Sequence, residues 1–323
     1  MSKARISSGV LIVVLVCLLA GCSSGSTSSS QETATPTLGG ATTDKLAAIL
    51  ARGTLILSTD PVYPPQSFAV KGATRVTDTK CAANELTAPE VDGYDAATGK
   101  LVAEALGVEP CFVTPTWTEI TGGNWGDRWD LSFGSGGINA DRMTRLYMTQ
   151  PYYEAPQSFF VQEKSTYQTP ADLDGKKIGV CIGCSHELYL KGELEVPGVE
   201  IVQKVKDPQI VGFESEPPGL QALADGKIDA FLLSEPVGME GINEGLALRE
   251  IHEPAFPLYI GGFMDKSSSL DERAFVARIN EIVLALTTDG TLATESEKYF
   301  GVDYATAAGG FDLGVLGQEV TAP

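Results

Sequence analysis

The chain has 323 residues, with 23 lysines and arginines against 42 acidic side chains and a formal charge of −19. So acidic a body excludes nucleic acid and wide contact with anionic lipid, since both carry the same sign of charge. Length and an apolar content of 43% fit one large or two modest globular domains.

Residues 1–22 read as an export leader. Lys3 and Arg5 give it a positive start, and residues 10–20 are an unbroken apolar run. That run is shorter than the roughly 20 residues a helix needs to span a bilayer. It ends in Leu19-Ala20-Gly21-Cys22, which resembles a lipobox. The resemblance implies cleavage before Cys22 and a lipid on its thiol, anchoring the mature chain outside the cytoplasm. Residues 23–43 are rich in Ser, Thr and Gly and read as a flexible tether. Of the six cysteines, Cys17 departs with the leader and Cys22 takes the lipid. The other four form an even set, which outside the cytoplasm suggests two disulfides. Proximity favours Cys181–Cys184, leaving Cys81–Cys111; the other two pairings stay open.

Asp44 reads as the cap of a helix through Leu50, with Gly53 as its stop. Residues 54–59 read as a strand that delivers Asp60-Pro61-Val62-Tyr63 into a loop. Residues 70–91 hold Cys81, show no clear period and read as an inserted loop. Leu101, Val102, Ala105 and Leu106 then make an apolar stripe at helical spacing. Residues 111–116 form a second strand with Trp117 at its end. Residues 121–128 are poor in helix formers and read as a loop. Leu131 and Phe133 mark a strand that ends in Gly134-Ser135-Gly136-Gly137. Glycines let backbone N–H groups come close to an anion. Arg142, five residues on, offers a planar two-pronged donor to a carboxylate. This stretch reads as half of a site for a small carboxylate.

Residues 158–162 and 178–182 read as strands, the second running through Gly183-Cys184-Ser185 into a helix over 186–191. The Cys-x-x-Cys here raises other chemistries. A c-type haem site needs His directly after the second Cys, and Ser185 intervenes. A zinc or copper site wants a further ligand, and only His186 and His252 are present. A redox pair lacks a thioredoxin-like context. A small disulfide bracing the turn is the reading kept. Residues 219–226 read as a short helix, and 227–233 as a strand that ends at Ser234-Glu235. Residues 246–251 and 258–263 look like strands. Phe275, Ile279, Ile282, Val283 and Leu286 share one face of a long helix over 270–286. Residues 302–323, small and acidic, read as a loose tail. Strands alternating with helices give an α/β fold.

Asp130, Ser135, Gly137, Arg142 and Pro151-Tyr152-Tyr153 resemble, in order and spacing, a known signature. It is that of the extracytoplasmic solute-binding proteins of polar amino-acid ABC transporters, bacterial solute-binding protein family 3. Matching segments recur from 44 to 301, with gaps at 70–91 and 118–128. They include Asp60 with Tyr63, Gly93-Tyr94-Asp95, Trp117 thirteen residues before Asp130, Asp172-Leu173-Asp174-Gly175-Lys176, Asp229-Ala230 and Asp289-Gly290-Thr291. The resemblance implies a two-lobed periplasmic-binding-protein-like fold of type II, with two crossings between lobes. Lobe 1 would be residues 44–155 plus 257–323 and lobe 2 residues 156–256, with a ligand in a cleft closed by hinge motion.

The resemblance also implies the roles in that cleft. Arg142, with the backbone of Ser135, Gly136 and Gly137, would hold a carboxylate. The turn at Cys184 and Ser185 would add donors from the other lobe. Tyr63 and Trp117 would sandwich the ligand's side chain. Asp60, Ser234 and Glu235 would meet positive or hydroxyl groups. Ala97 and Cys184 depart from the family pattern, and so does Ser234, which stands where the family has an Asp for the ligand's ammonium. Glu235 or Asp60 then takes the cation, or the ligand is not a plain α-amino acid. The expected function is that of a monomeric, lipid-anchored protein delivering a polar amino acid or derivative to an ABC permease, with no cofactor or metal. The alternatives are a ligand-sensing lipoprotein and a dehydratase-like enzyme, in which Glu235 or His186 would serve as general acid or base.

Overall fold

The computed structural model describes residues 43–320. The leader, the Cys22 lipid site and the tether through residue 42 lie outside them. The Asp44 carboxylate accepts from the Ala47 N–H at 2.7 Å and starts α1 (Lys45–Arg52), which Gly53 ends in a left-handed conformation at φ 74°. Next come β1 (Thr54–Ser58), β2 (Val62–Tyr63), β3 (Ser67–Ala69), β4 (Leu86–Thr87) and β5 (Val91–Asp92). Then follow α2 (Tyr94–Leu106), β6 (Glu109–Val113), α3 (Trp117–Gly122), β7 (Leu131–Ser132), the single turn α4 (Ala140–Met143) and the 17-residue β8 (Leu146–Gln162). The chain continues through β9 (Lys177–Cys181), α5 (Ser185–Lys191), β10 (Gln209–Phe213), α6 (Glu216–Ala224), β11 (Ala230–Ser234), α7 (Glu235–Asn243) and β12 (Leu248–Glu250). It closes with β13 (Phe256–Asp265), α8 (Arg273–Thr288), α9 (Thr291–Phe300) and α10 (Ala305–Ala308).

One sheet runs in the order β10-β9-β11-β8-β13-β7-β1-β6-β4, with β12 also on β8. β6 and β7 lie parallel to β1, and β10 and β11 lie parallel to β9. Between these two parallel sets stands the antiparallel ladder of β8 and β13. Parallel sets need helices as crossovers, which is why strands and helices alternate on both sides of the ladder. The ladder slips at Gly261, opposite Pro151, which has no N–H to give. The described residues include no helix long and apolar enough to cross a membrane.

Both disulfides named by proximity form. Cys81–Cys111 staples the inserted segment to β6, and Cys181–Cys184 closes the turn after β9. Arg75 knits the same inserted segment by donating to the carbonyls of Cys81, Ala82 and Glu85. Three sequence readings are corrected. A helix does follow β6, because the Thr116 side chain and the Glu119 side chain cap its first turn reciprocally. The strand read at 158–162 is only the end of β8. The described part of the tail is not loose: Ala305, Ala308 and Leu316 are buried, and the Gln318 side chain bonds both the N–H and the carbonyl of Met148.

Candidate functional site

Residues just past the C-terminal ends of parallel strands converge on one crevice. Here all six parallel strands contribute. Asp60 and Tyr63 come after β1, Trp117 after β6, Ser135 and Gly137 after β7, and Cys184 and Ser185 after β9. Glu216 comes after β10, and Ser234 ends β11. With Arg142 these residues line one cavity of about 90 Å³. A single water needs roughly 10–15 Å³ on the same measure, so the space suits a molecule of several heavy atoms.

Two expected residues are not there. Gly136 packs under Phe263 instead: a Cβ at 136 would sit 1.8 Å from the Phe263 ring. Glu235 begins α7 and turns toward Tyr304. Burial, then the nearby Glu250, push its pKa up, so it answers to its own neighbours rather than to the cleft.

Arg142 sits in α4, which is capped by the Asn139 side chain accepting from the Arg142 N–H at 2.9 Å. It is 2% exposed. Its guanidinium donates to the carbonyls of Gly137 at 2.8 Å and Gly183 at 3.1 Å, and lies 4.9 Å from the Trp117 ring centroid. Among the described residues no carboxylate lies within ion-pair distance of it. Burial lowers its pKa to about 10, which still leaves it charged at neutral pH. A buried cation without an anion is costly, and a ligand carboxylate is the group that would complete it.

Ser135 is held in the left-handed region at φ 54° by a network behind it. Its N–H donates to the Tyr152 hydroxyl at 3.0 Å, and its Oγ accepts from the Tyr153 hydroxyl at 2.9 Å. The Asp95 carboxylate accepts from Ser135 Oγ and from the Tyr152 hydroxyl, both at 2.7 Å. Asp95 thus positions the loop from the first turn of α2 without touching the cavity. From the other side, Asn139 Nδ2 donates to Ser185 Oγ at 3.1 Å, and the Ala140 N–H to the Glu195 carbonyl at 2.9 Å.

Sequence reasoning did not assign Glu216, Gln157 or Tyr153 to the site, although all line the cavity, and it considered His186 only for other chemistry. A signal for Glu216 existed: Ser215 before Glu216-Pro217-Pro218 is a helix start, three residues ahead of the one read at Gly219. His186 Nε2 meets Gln157 Oε1 at 2.6 Å, while Gln157 Nε2 donates to the Ala155 carbonyl at 2.8 Å. The imidazole must therefore donate from Nε2, which leaves Nδ1 an acceptor. Burial, then Arg142, lower its pKa to about 3 and hold it neutral.

Burial pushes Asp95 and Glu216 up to about 7 and Glu272, under α8, up to about 8. An acid with a raised folded pKa binds more protons folded than unfolded. Its stabilising effect is therefore lost as pH climbs from its unfolded value, near 4, through its folded one. His186, with a lowered folded pKa, acts oppositely but only below its unfolded value of about 6.5. The clean window lies above that. The ligand-free protein is expected to lose on the order of 2 kcal/mol between pH 6.5 and 8.5. Urea unfolding at the two pH values reads this directly, and a midpoint that rises with pH would show these acids ionised.

Cys181, Cys184 and His186 bring ligand atoms within 4.8 Å of one another, as do Cys81, Glu85 and Cys111. Each cysteine pair is joined as a disulfide and offers no thiolate to a metal.

The profile of the bacterial extracellular solute-binding proteins, family 3, matches residues 55–302, and the chain belongs to that family. The L-cystine-binding protein TcyJ of Escherichia coli K12 is 24% identical over 260 residues, covering 80% of this chain and 86% of that one. The ABC transporter arginine-binding protein 1 of the same organism is also 24% identical, over 65% of this chain and 82% of its own. Among solved structures, the ancestral amino acid-binding protein AncCDT-1, a precursor of cyclohexadienyl dehydratase, superposes with a TM-score of 0.61 at 23% identity, over 80% of this chain and 99% of that one. A mutant of ArgBP from T. maritima gives 0.62 at 20% identity, over 79% and 99%. The fold is that of the two-lobed binding proteins.

Proposed function

We propose that this protein captures an amino acid or close derivative between its lobes and hands it to an ABC permease. The observation that carries the reading is Arg142: a buried, charged guanidinium at a ligand-sized cavity with no carboxylate of its own among the described residues. Ser135, Gly137 and Ser185 flank the place a carboxylate would take, and Tyr63 and Trp117 offer ring faces for the rest. The ligands for which the relatives are named, cystine and arginine, are of this class.

The lobes we assign are residues 44–155 with 257–323, and residues 156–256. β8 and β13 are then the two crossings and the hinge. The bonds from Arg142, Asn139 and Ala140 to Gly183, Ser185 and Glu195 form the latch of the closed state. The protein acts by binding alone, as a monomer outside the cytoplasm, tied to the membrane through lipid on Cys22.

A thermal-shift screen against the twenty amino acids, L-cystine, glycine betaine and small dicarboxylates tests the reading. A ligand at 100 times its Kd adds about 2.7 kcal/mol. At least one amino acid is expected to raise the melting temperature clearly. A screen in which none does would remove the amino-acid reading.

A further inference from the structure

The cleft holds one cation and, on another side, a buried acid with one carboxylate oxygen unpartnered. Glu216 is 5% exposed, and its Oε2 has no hydrogen-bond partner. Its helix begins with Pro217 and Pro218, which have no N–H, so its own first turn gives the carboxylate few donors. The Tyr63 ring carries its hydroxyl to one side of the carboxyl, and Tyr153 and Asp60 act on it through space.

Two more groups on the cavity wall are buried without partners: the acceptor Nδ1 of His186 and the hydroxyl of Ser234. Asp60 and Glu214 also line the cavity but are more exposed, and Glu216 is the buried one of the three. Asp60 accepts from the Val62 N–H at 3.0 Å, and Glu235 is engaged with Tyr304. Ser234 itself carries no charge.

We propose that Glu216 receives the ligand's positive group in place of residue 234, and that this group bears N–H donors. The ligand class is a zwitterion with a primary or secondary ammonium or a guanidinium, not a quaternary ammonium. A trimethylated nitrogen would bring charge but no hydrogen, and would leave Glu216 Oε2, His186 Nδ1 and Ser234 Oγ bare. This rests on the amino-acid reading above and gives its cationic half a residue.

Binding is thereby coupled to protons. Burial holds Glu216 near 7, so the empty cleft carries it partly protonated at neutral pH, and an arriving cation expels that proton. Facing groups are Tyr63 and Asp60 from the β1–β2 segment, Tyr153 from β8, and Glu214 from its own approach. Asp95, behind Ser135, titrates in the same range, whereas His186 stays neutral.

Calorimetric titration of the protein with L-arginine, L-glutamine, L-cystine and glycine betaine, at pH 6 and 8 and in phosphate and Tris, tests the proposal. At least one amino acid is expected to bind, to tighten up to about tenfold from pH 6 to 8, and to release a proton near pH 7. Glycine betaine is expected not to bind. Glu216→Gln, nearly isosteric, should weaken the amino acid at least 30-fold at pH 8 and abolish the release, which Asp95 could not explain. The proton count on the unmutated protein stands whether or not the variant folds. The proposal is overturned if Glu216→Gln binds as the parent does with the same proton release, or if glycine betaine binds as tightly as the amino acids. Amino-acid binding that is indifferent to Glu216 sinks this inference alone; no amino-acid binding at all removes the function reading with it.

Discussion

Arg142→Met is expected to weaken any carboxylate ligand at least 100-fold. Two charge-assisted hydrogen bonds from one guanidinium fork, made in a dry site, contribute about 3 kcal/mol or more, and roughly 2.7 kcal/mol is already a factor of about 100. The folded protein should feel the change much less. Met keeps the length and the stacking on Trp117 and removes a charge that burial disfavours. Against this, it leaves the Gly137 carbonyl without its donor. The two effects oppose, so the melting temperature of the empty variant should move little while its affinity collapses. Arg142→Lys should fall between, since an ammonium keeps the charge but has no planar fork to grip a carboxylate by two bonds. Calorimetry and melting on the same samples decide it. A methionine variant that binds within tenfold of the parent would place the carboxylate elsewhere.

The second large effect concerns stability. Replacing Cys81 and Cys111 together by Ala is expected to cost about 3–4 kcal/mol. The bridge closes a loop of 30 residues, for which chain entropy gives about that figure. Besides the bridge, the segment is held by Arg75, by the bonds of Thr79 and Lys80 to Glu109, and by short strands. β4 makes only the pairings Leu86 with Phe112 and Thr87 with Cys111, and β5 is two residues long. Cys181–Cys184 spans three positions, and the same relation gives it a smaller share. Urea unfolding of the double variant, ligand-free, measures the loss. A loss under about 1 kcal/mol would show that Arg75 and the short strands suffice without the bridge.

The sequence carried the frame of the fold well because its signals are local. The Asp44 cap, the Gly53 stop and the glycines after β7 each act within a few residues. Of the residues singled out between Trp117 and Arg142, Trp117, Ser135, Gly137 and Arg142 line one cavity. What it hid was set by distant partners. Pro151 reads as a strand breaker, yet β8 runs through it because β8 bulges there, taking extra residues against β13 on either side of the Pro151–Gly261 pair. Glycines at 122 and 123 outweigh, on the page, a helix that Thr116 and Glu119 secure. Glu235 stands beside Ser234 and looked like its replacement, but the first turn of α7 carries it to Tyr304. Glu216, which does line the cavity, belongs to a different helix and comes before β11 in the chain.

The edge contact between the two ends of the described chain has its own consequence. Lys45 N–H donates to the Asp271 carbonyl at 2.9 Å, and the Asp271 N–H to the Thr43 carbonyl at 2.6 Å. β13, from the last quarter, also supplies the neighbour of both β7 and β8. An early segment of the described chain is therefore completed by one made much later. At 5–20 residues per second, the ribosome needs roughly 10 to 45 s to travel from Lys45 to Asp271. Throughout that interval the sheet edges that β13 will cover stand open, and the Lys45 N–H lacks its Asp271 acceptor. A polypeptide built in this order cannot close its central sheet until β13 has been made.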